Sequence, residues 1–285
     1  MTSKQSNVLK AILTIAGNPC FNLKEKYSGR NTINNVGQAL ECYIKEVFSD
    51  TTQEVDPIKK NEKPSIIFSY IGNPNNPPDL ILKGGDAIEV KKIQNRGASI
   101  ALNSSFPKQR LHVDDPKITE ACKNCESFEG KDIIYAIGLM NDERLLHLSF
   151  IYGDVYAASS AIYSRIGKKI SEGILEIPDI EFSETKELGR VDRVDPLGIT
   201  NLRIRGMWHI ENPLKVFEEI YTADLSSSFN FTCLMKKEKF DSFSFEDRRA
   251  IKTSGNVKLA DIKVKNPDNP AQLLEAKIIT LGVKL

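Results

Sequence analysis

The sequence predicts a mixed α/β protein in which a β-sheet forms the core and helices cover it. Residues 132–138 (DIIYAIG) are almost continuously apolar, which is typical of a central strand that is covered on both faces. Segments with helical periodicity, such as 34–48, alternate along the chain with segments of strand character. With 285 residues, 40% of them hydrophobic, the chain can bury a large core, and we expect a single domain over residues 1–285.

Charge and composition exclude several classes of protein. The net charge is +1, so the chain is no polycation that coats nucleic acid, and any surface for nucleic acid requires local segregation of charge. No apolar run approaches the roughly 20 residues of a membrane span, and the start of the chain lacks the pattern of a secretory signal. We therefore expect a cytoplasmic protein with no membrane partner. Five cysteines without framework spacing agree with reduced thiols in that compartment.

Helices are predicted where apolar residues recur every three to four positions next to capping residues. Asn212-Pro213 supplies an N-cap and a first-turn proline, and Ser244 stands three residues before Asp247 as a second cap. The charged, proline-bounded residues 50–64 predict a loop. The predicted helices are 7–16, 34–48, 116–128, 157–170, 213–221 and 244–252.

Strands are predicted where short apolar or alternating runs are bounded by turn residues. Prolines between residues 72 and 78 predict a rigid approach to the second strand. The predicted strands are 66–71, 80–82, 87–91, 132–138, 145–152, 200–210, 229–235, 257–264 and 277–283.

The second and third predicted strands form a β-hairpin that carries charge where its packed face should be apolar. Glu89 and Lys91 are two positions apart, so their side chains point to one face, while Asp79 opens the other arm. With a two-residue turn at Gly84-Gly85, Asp79 would stand opposite Val90 and face away from Glu89. We therefore expect a three-residue loop or a bulge at the glycines, where a positive φ costs little.

Two carboxylates and a lysine on one face indicate a cation site. The carboxylates alone would repel each other, and one would keep its proton. Mg²⁺ resolves this repulsion because it binds carboxylate and phosphate oxygens together. The lysine ammonium can then orient an attacking water and offset phosphate charge, as metal-assisted phosphodiester hydrolysis requires. The alternative is a surface hairpin in which Glu89 and Lys91 are solvated and Asp79 caps a turn.

Polar residues on two further segments are candidates for contacts with DNA. Residues 200–210 alternate, which predicts a strand with Leu202 and the other apolar residues on the core face and hydrogen-bonding groups on the other. The alternatives are a solvated strand face, salt bridges from Asp192 and Asp195 to the upstream arginines, and a loop at 103–108 that caps itself. The candidate DNA-binding residues are Asn103, Lys108, Arg190, Arg193, Asn201, Arg203, Arg205 and His209.

Cys122 and Cys125 leave two interpretations open. Their Cys-x-x-Cys spacing would suit zinc if His112 or His147 completed the site. No second such pair exists in the sequence, so the other interpretation is two helical thiols without a metal.

Two levels of resemblance to known nucleases are present. Pro78-Asp79, followed after nine residues by Glu89-Val90-Lys91, resembles the PD-(D/E)XK motif of the restriction-endonuclease-like nucleases. Four longer segments resemble the NgoPII-type family of type II restriction endonucleases. They are GNPNNPPDLILKGGDAIEVKKI (72–93), ALNSSFPK (101–108), TKELGRVDRVDPLGITNLRIRGMWHIENP (185–213) and NPDNPAQL (266–273).

The resemblance implies a fold and a set of site residues. The fold is a restriction-endonuclease-like mixed β-sheet core flanked by helices, with the catalytic core at about 34–175 and an additional DNA-recognition region at about 180–285. Asp79, Glu89 and Lys91 take the catalytic places of the family. The resemblance to the nucleases further implies that Glu41, an acidic residue on the preceding helix, joins Asp79 and Glu89 as a ligand of the metal.

The resemblance also implies an activity and its partners. They are Mg²⁺-dependent hydrolysis of double-stranded DNA at the palindrome GGCC in the bacterial cytoplasm, and a cognate methyltransferase that protects the host DNA. Because a palindrome is matched by a two-fold symmetric protein, we expect a homodimer. The alternatives are a repair or junction-resolving nuclease of the same fold, and a DNA-binding protein that does not cut.

Overall fold

The computed structural model has a central mixed sheet covered by helices, with two small sheets beside it. It describes residues 5–27, 36–73, 76–142, 144–178, 181–183, 185, 187–197, 199–224 and 226–284. The helices in this part of the chain are α1 (Val8–Gly17), α2 (Leu23–Tyr27), α3 (Val36–Ser49), α4 (Pro57–Ile67), α5 (Glu120–Lys123), α6 (Ser160–Leu175), α7 (Pro213–Val216), α8 (Lys237–Ser242) and α9 (Phe245–Thr253). Residues 34 and 35, at the predicted start of the second helix, lie outside the described residues.

The strands, again within the described residues, supply a nine-stranded sheet in the order β1-β2-β3-β6-β7-β12-β14-β13, with β5 paired to β6. They are β1 (Phe68–Asn73), β2 (Asn76–Leu82), β3 (Ala87–Ile93), β4 (Ile100–Ala101), β5 (Arg110–His112), β6 (Gly130–Asn141), β7 (Arg144–Tyr152), β8 (Glu181–Phe182), β9 (Gly189–Asp192), β10 (Leu202–Ile204), β11 (His209–Ile210), β12 (Phe229–Lys236), β13 (Lys258–Asn266) and β14 (Asn269–Val283). The β3–β6 and β7–β12 pairs are parallel and the remaining pairs of the sheet are antiparallel. The predicted mixed sheet with flanking helices is confirmed.

The core lies where β6 and β7 cross the middle of the sheet. Ile134, Ala136, Leu148 and Phe150 are fully buried, which confirms that the apolar run 132–138 is a central strand. The helix α3 packs its apolar stripe against β3 and α1. The β2–β3 hairpin is therefore held between the sheet centre and a helix. No helix in the described residues is long and apolar enough to cross a membrane.

Besides the strand at 200–210, three predicted segments differ from the structure over about half of their length or more. The predicted loop at 50–64 is wrong in its second half, because Asp56 accepts a hydrogen bond from the Ile58 amide and starts α4 with Pro57 in its first turn. The helices predicted at 116–128 and 213–221 shorten to single turns, α5 and α7, each followed by non-helical turns.

Residues 200–210 do not form one continuous strand. Leu202–Ile204 pairs with β9, but after residue 204 the backbone turns to a different partner and His209–Ile210 pairs with β4. Leu202 is half exposed and does not face the core, contrary to the prediction. From residue 203 onward exposure still alternates, with Arg203 and Arg205 exposed.

The central sheet contains strands from both the expected catalytic core (about 34–175) and the expected DNA-recognition region (about 180–285). The last three strands, β12 to β14, continue the sheet from β7 because the Phe229–Lys236 strand is apolar enough to be buried on both faces. Within the expected recognition region, only β8, β9 and β10 form a separate sheet of their own among the described residues.

Candidate active site

The turn of the β2–β3 hairpin sets which side chains share a face. Leu80 pairs with Ile88 and Ile81 with Ala87. The amide of Gly85 donates to the carbonyl of Leu82 at 2.9 Å, and Gly84 has φ +62°. The loop therefore contains three residues, 83–85, as predicted, and the same register continued outward places Asp79 across from Glu89.

The two carboxylates and the lysine are held by short contacts. Asp79 Oδ2 accepts a hydrogen bond from the Val90 amide at 2.6 Å, and Glu89 Oε1 accepts one from Lys91 Nζ at 2.5 Å. The second oxygen of Glu89, Oε2, is shielded from solvent and has no hydrogen-bond partner among the described residues. Because an unpaired buried carboxylate oxygen is costly, this atom is placed to receive a further ligand.

Burial and mutual repulsion shift the protonation of this group. Burial, reinforced by the charge of Glu89, raises the pKa of Asp79 well above its usual range. Burial alone would lower the pKa of Lys91, but the charges of Glu89 and Asp79 outweigh it and raise that pKa. At neutral pH the lysine is therefore an ammonium group, and a cation that binds Asp79 must displace a proton.

A cavity of about 60 Å³ opens beside these side chains. Its lining includes Asp79, Glu89, Lys91, Ser105 and Tyr135. This volume holds a few water molecules, comparable with the partly hydrated shell that Mg²⁺ keeps in proteins. The three residues of the predicted catalytic set are thus brought to one cavity.

Glu41 lies near this cavity but on its outer side. It is exposed on α3 and borders a second opening together with Asp79. Burial raises its pKa, with Lys91 opposing the shift and Glu89 adding to it. Within the described residues no three His, Cys, Asp or Glu side chains come close enough to hold one metal ion, so Glu41 does not complete a three-carboxylate site in this arrangement.

Asn103 and Lys108 lie on the loop that lines the cavity, and their settings differ. Asn103 is exposed, with φ +53°. Lys108 is buried, forms an ion pair with Asp115 and lies over the ring of Phe106. The ammonium group of Lys108 is already paired inside the protein, so a contact with DNA would require this ion pair to open.

The candidate arginines lie on or directly after β9 and β10 of the small three-stranded sheet, and each has an acidic partner. Arg203 and Arg205 share Glu187, with Nη2 of Arg203 at 2.9 Å and Nε of Arg205 at 2.6 Å from its Oε1. Arg190 pairs with Asp192 as one alternative anticipated, while Arg193 pairs with Glu181. Asp195 instead accepts backbone amides of residues 199 and 200. The structure thus brings two arginines to one carboxylate.

Asn201 and His209 are less available than the sequence predicts. Asn201 is exposed, but its side-chain oxygen accepts the Arg193 amide. His209 is also exposed, and its Nδ1 lies 3.4 Å from the hydroxyl of Ser99. His209 lies on the short β11 strand rather than on the same strand as Arg203, so the candidate residues do not form one continuous row.

Sequence patterns did not single out Tyr135 and Ser105 as parts of this site, or Trp208 as a support of its loop. Tyr135 pairs with Glu89 across the parallel strands, and its hydroxyl accepts the Lys108 amide at 2.6 Å. Trp208 exchanges backbone hydrogen bonds of 2.8 Å with Leu102 and Asn103. A tyrosine within an otherwise apolar central strand was the one available signal, since its hydroxyl needs a buried partner.

Cys122 and Cys125 are free thiols. Burial, with a contribution from Cys125, raises the pKa of Cys122 to about 12. The described residues contain no cluster that would hold a metal with them, so the zinc interpretation gains no support.

Comparison with known proteins gives one consistent result. A family model described as NgoPII restriction endonuclease matches residues 6–265. The protein named "Type II restriction enzyme NgoPII" from Neisseria gonorrhoeae is 46% identical over 277 residues, which cover 96% of this chain and 99% of that relative. No solved structure matches the chain.

Proposed function

The chain belongs to the NgoPII restriction endonuclease family, and from this premise we propose that it cuts both strands of DNA at GGCC with Mg²⁺ held by Asp79 and Glu89. Family membership makes it a type II restriction enzyme, a site-specific deoxyribonuclease that acts on DNA. The metal, the sequence that is cut and the residues that act are the parts proposed here.

The observation that carries the proposal is the unpaired oxygen of Glu89 beside Asp79. Glu89 Oε2 is buried in the cavity without a donor, and Asp79 is a carboxylate whose ionisation is suppressed by its surroundings. Both features fit a hard divalent cation. Such a cation would supply the missing partner of Glu89 Oε2, and it would offset the negative charge of Asp79 when that carboxyl group loses its proton. When bound, Mg²⁺ would polarise the phosphate and make an attacking water easier to deprotonate.

The protein residues divide the remaining work. The Val90 amide fixes the carboxylate of Asp79 through a hydrogen bond to Oδ2, so Oδ1 is the oxygen that would bind the cation. Lys91 stays charged because Glu89 and Asp79 raise its pKa, so it neutralises a phosphate and orients water but does not take a proton from it. Glu89 holds that ammonium in place through Oε1.

Recognition is assigned to the exposed arginines of the small sheet. Arg203 and Arg205 are about 60% exposed, and guanidinium groups suit the O6 and N7 acceptors of guanine. In the free protein Glu187 holds both side chains in place. On binding, base edges would replace this carboxylate. The GGCC sequence itself comes from the resemblance to the family, and two guanine-reading residues in each subunit agree with it.

Three further statements belong to the same proposal. The active form is a homodimer, because a palindrome presents the same half-site twice. The enzyme works in the bacterial cytoplasm, and a methyltransferase of the same specificity protects the host DNA. Restriction is favoured over junction resolution and over binding without cutting, because the family match spans most of the chain and the Asp79, Glu89 and Lys91 set is intact.

Digestion of a plasmid of known sequence tests the proposal. Purified protein is incubated with the plasmid and Mg²⁺, and the ends of all fragments are sequenced; an Asp79→Ala preparation is the control for contaminating nuclease. We expect discrete fragments whose ends all lie in GGCC, and none from the control. Ends at another fixed sequence would refute the specificity. Cuts at branched structures alone, or retention of DNA without cutting, would refute restriction.

A further inference from the structure

Ser105 is a buried polar residue of the catalytic cavity that the proposed mechanism leaves unused. Its side chain lines the same cavity as Asp79, Glu89 and Lys91, and the residue is only 8% exposed. Its Oγ is shielded from solvent and makes no hydrogen bond to any described residue. Buried hydroxyls are ordinarily paired, so a hydroxyl without a partner at a reactive site indicates a missing ligand.

The chemistry of the cavity indicates which ligand is missing. Two of its polar groups lack partners, Glu89 Oε2 and Ser105 Oγ. The carboxylate oxygen can only accept, so it suits a cation. The hydroxyl can donate, and Lys91 supplies positive charge to the same space, so together they suit an anion. A phosphate group with a bound cation satisfies both unpaired atoms at once.

The backbone around Ser105 is fixed at several points. The Ser105 amide donates to the Leu102 carbonyl at 3.2 Å, and the Lys108 amide donates to the hydroxyl of Tyr135, the residue paired with Glu89. On the other side, the Leu102 amide donates to the carbonyl of Trp208 at 2.8 Å. The backbone that carries the hydroxyl is therefore held in place before substrate binds. A preorganised donor of this kind contributes most when negative charge develops in the transition state.

We propose that Ser105 Oγ donates a hydrogen bond to a non-bridging oxygen of the phosphate that is cut. This inference rests on the proposed function, since it needs a DNA phosphate in the cavity. It makes Ser105 a further catalytic residue, beside the set that the motif provides. The neighbouring Ser104 lines the same cavity but is exposed, so water can satisfy its hydroxyl and it serves as the comparison for the buried one.

The test compares Ser105→Ala with Ser104→Ala in three measurements. They are the single-turnover rate of cutting a cognate duplex at saturating Mg²⁺, the affinity for that duplex in Ca²⁺, and the thermal midpoint of the free protein. For Ser105→Ala we expect a rate roughly 10- to 100-fold lower, an affinity changed by less than about threefold, and an unchanged or higher thermal midpoint. Ser104→Ala should lose less rate than Ser105→Ala and keep the affinity and thermal midpoint of the parent protein, because its exposed hydroxyl is satisfied by water.

Two outcomes would overturn the inference. One is a rate for Ser105→Ala within about twofold of the parent protein. The other is a combined result: Ser105→Ala loses thermal stability together with rate, and Ser105→Thr, which keeps a hydroxyl, does not restore the rate. A parent protein that cuts no DNA would instead refute the proposed function, so the two failures are distinct.

Discussion

The charge of Asp79 should oppose folding when no metal is present, and Asp79→Asn tests this. The folded-state pKa of Asp79 is raised, by burial first and by Glu89 second. A carboxyl group with a raised folded-state pKa contributes no penalty below its unfolded pKa of about 4, and the penalty grows as pH rises toward the folded value. Asparagine removes the charge but keeps an oxygen that can accept the Val90 amide.

The size of the effect follows from the linkage between pKa and stability. Each unit of raised pKa corresponds to about 1.4 kcal/mol, so a folded-state pKa of about 8 costs at most about 5 kcal/mol at pH 8. For a protein of this length that is at most roughly 10–15 °C in the thermal midpoint. We therefore expect Asp79→Asn to be more stable than the parent protein, by up to this amount, at pH 8 in EDTA, with a smaller difference at pH 5.

Calorimetry with and without Mg²⁺ completes the experiment. Saturating Mg²⁺ should raise the thermal midpoint of the parent protein and leave that of Asp79→Asn nearly unchanged. The matched control is Asp86→Asn, because Asp86 is a buried carboxylate of the same hairpin that is paired with Lys239 at 2.6 Å and with Tyr152 at 2.7 Å. That variant should be less stable. An Asp79→Asn protein that is no more stable than the parent at pH 8, or one that Mg²⁺ stabilises equally, would refute the reasoning.

Two further predictions concern DNA. Arg203→Ala and Arg205→Ala should each lose about 1–3 kcal/mol of affinity for a GGCC duplex and little for a scrambled duplex, because a lost base contact removes discrimination. Affinities on both duplexes at two salt concentrations decide this, and equal losses accompanied by a lower salt slope would assign the arginines to phosphates. The protein bound to a single GGCC duplex should sediment as two chains on one DNA, whereas a single chain that cuts both strands would rule out the dimer.

The hairpin could be predicted in detail because strand geometry is local. Side chains alternate along a strand, so requiring Asp79 and Glu89 on one face left a three-residue loop or a bulge. The structure has the three-residue loop, and Gly84 supplies the positive φ that it uses. The apolar run of β6 was equally informative, because burial on both faces leaves a continuous hydrophobic segment.

Pattern reasoning fell short where the partners of a residue depend on how the chain folds. Lys108 has the sequence context of a surface lysine, and only the path of the loop brings Asp115, seven residues later, to its ammonium group. The strand at 200–210 breaks because Trp208 bonds to a loop a hundred residues earlier, which periodicity cannot reveal. Ser105 has no local signal, since its significance depends on the absence of a partner in the folded cavity. The start of α4, by contrast, could have been predicted, because Asp56-Pro57 is an N-cap followed by a first-turn proline. The charged composition of residues 50–64 favoured a loop instead.

The central claim is that DNA cleavage depends on Glu89 in this cavity. Single-turnover cleavage of one GGCC duplex by Glu89→Gln tests it most directly. The measurement is made with the duplex fully bound and Mg²⁺ varied, and binding in Ca²⁺ is measured alongside it. We expect the variant to bind the duplex within about threefold of the parent protein and to cut at least about a thousandfold more slowly. A Glu89→Gln protein that binds equally and cuts within tenfold of the parent rate would contradict the assignment of catalysis to this site.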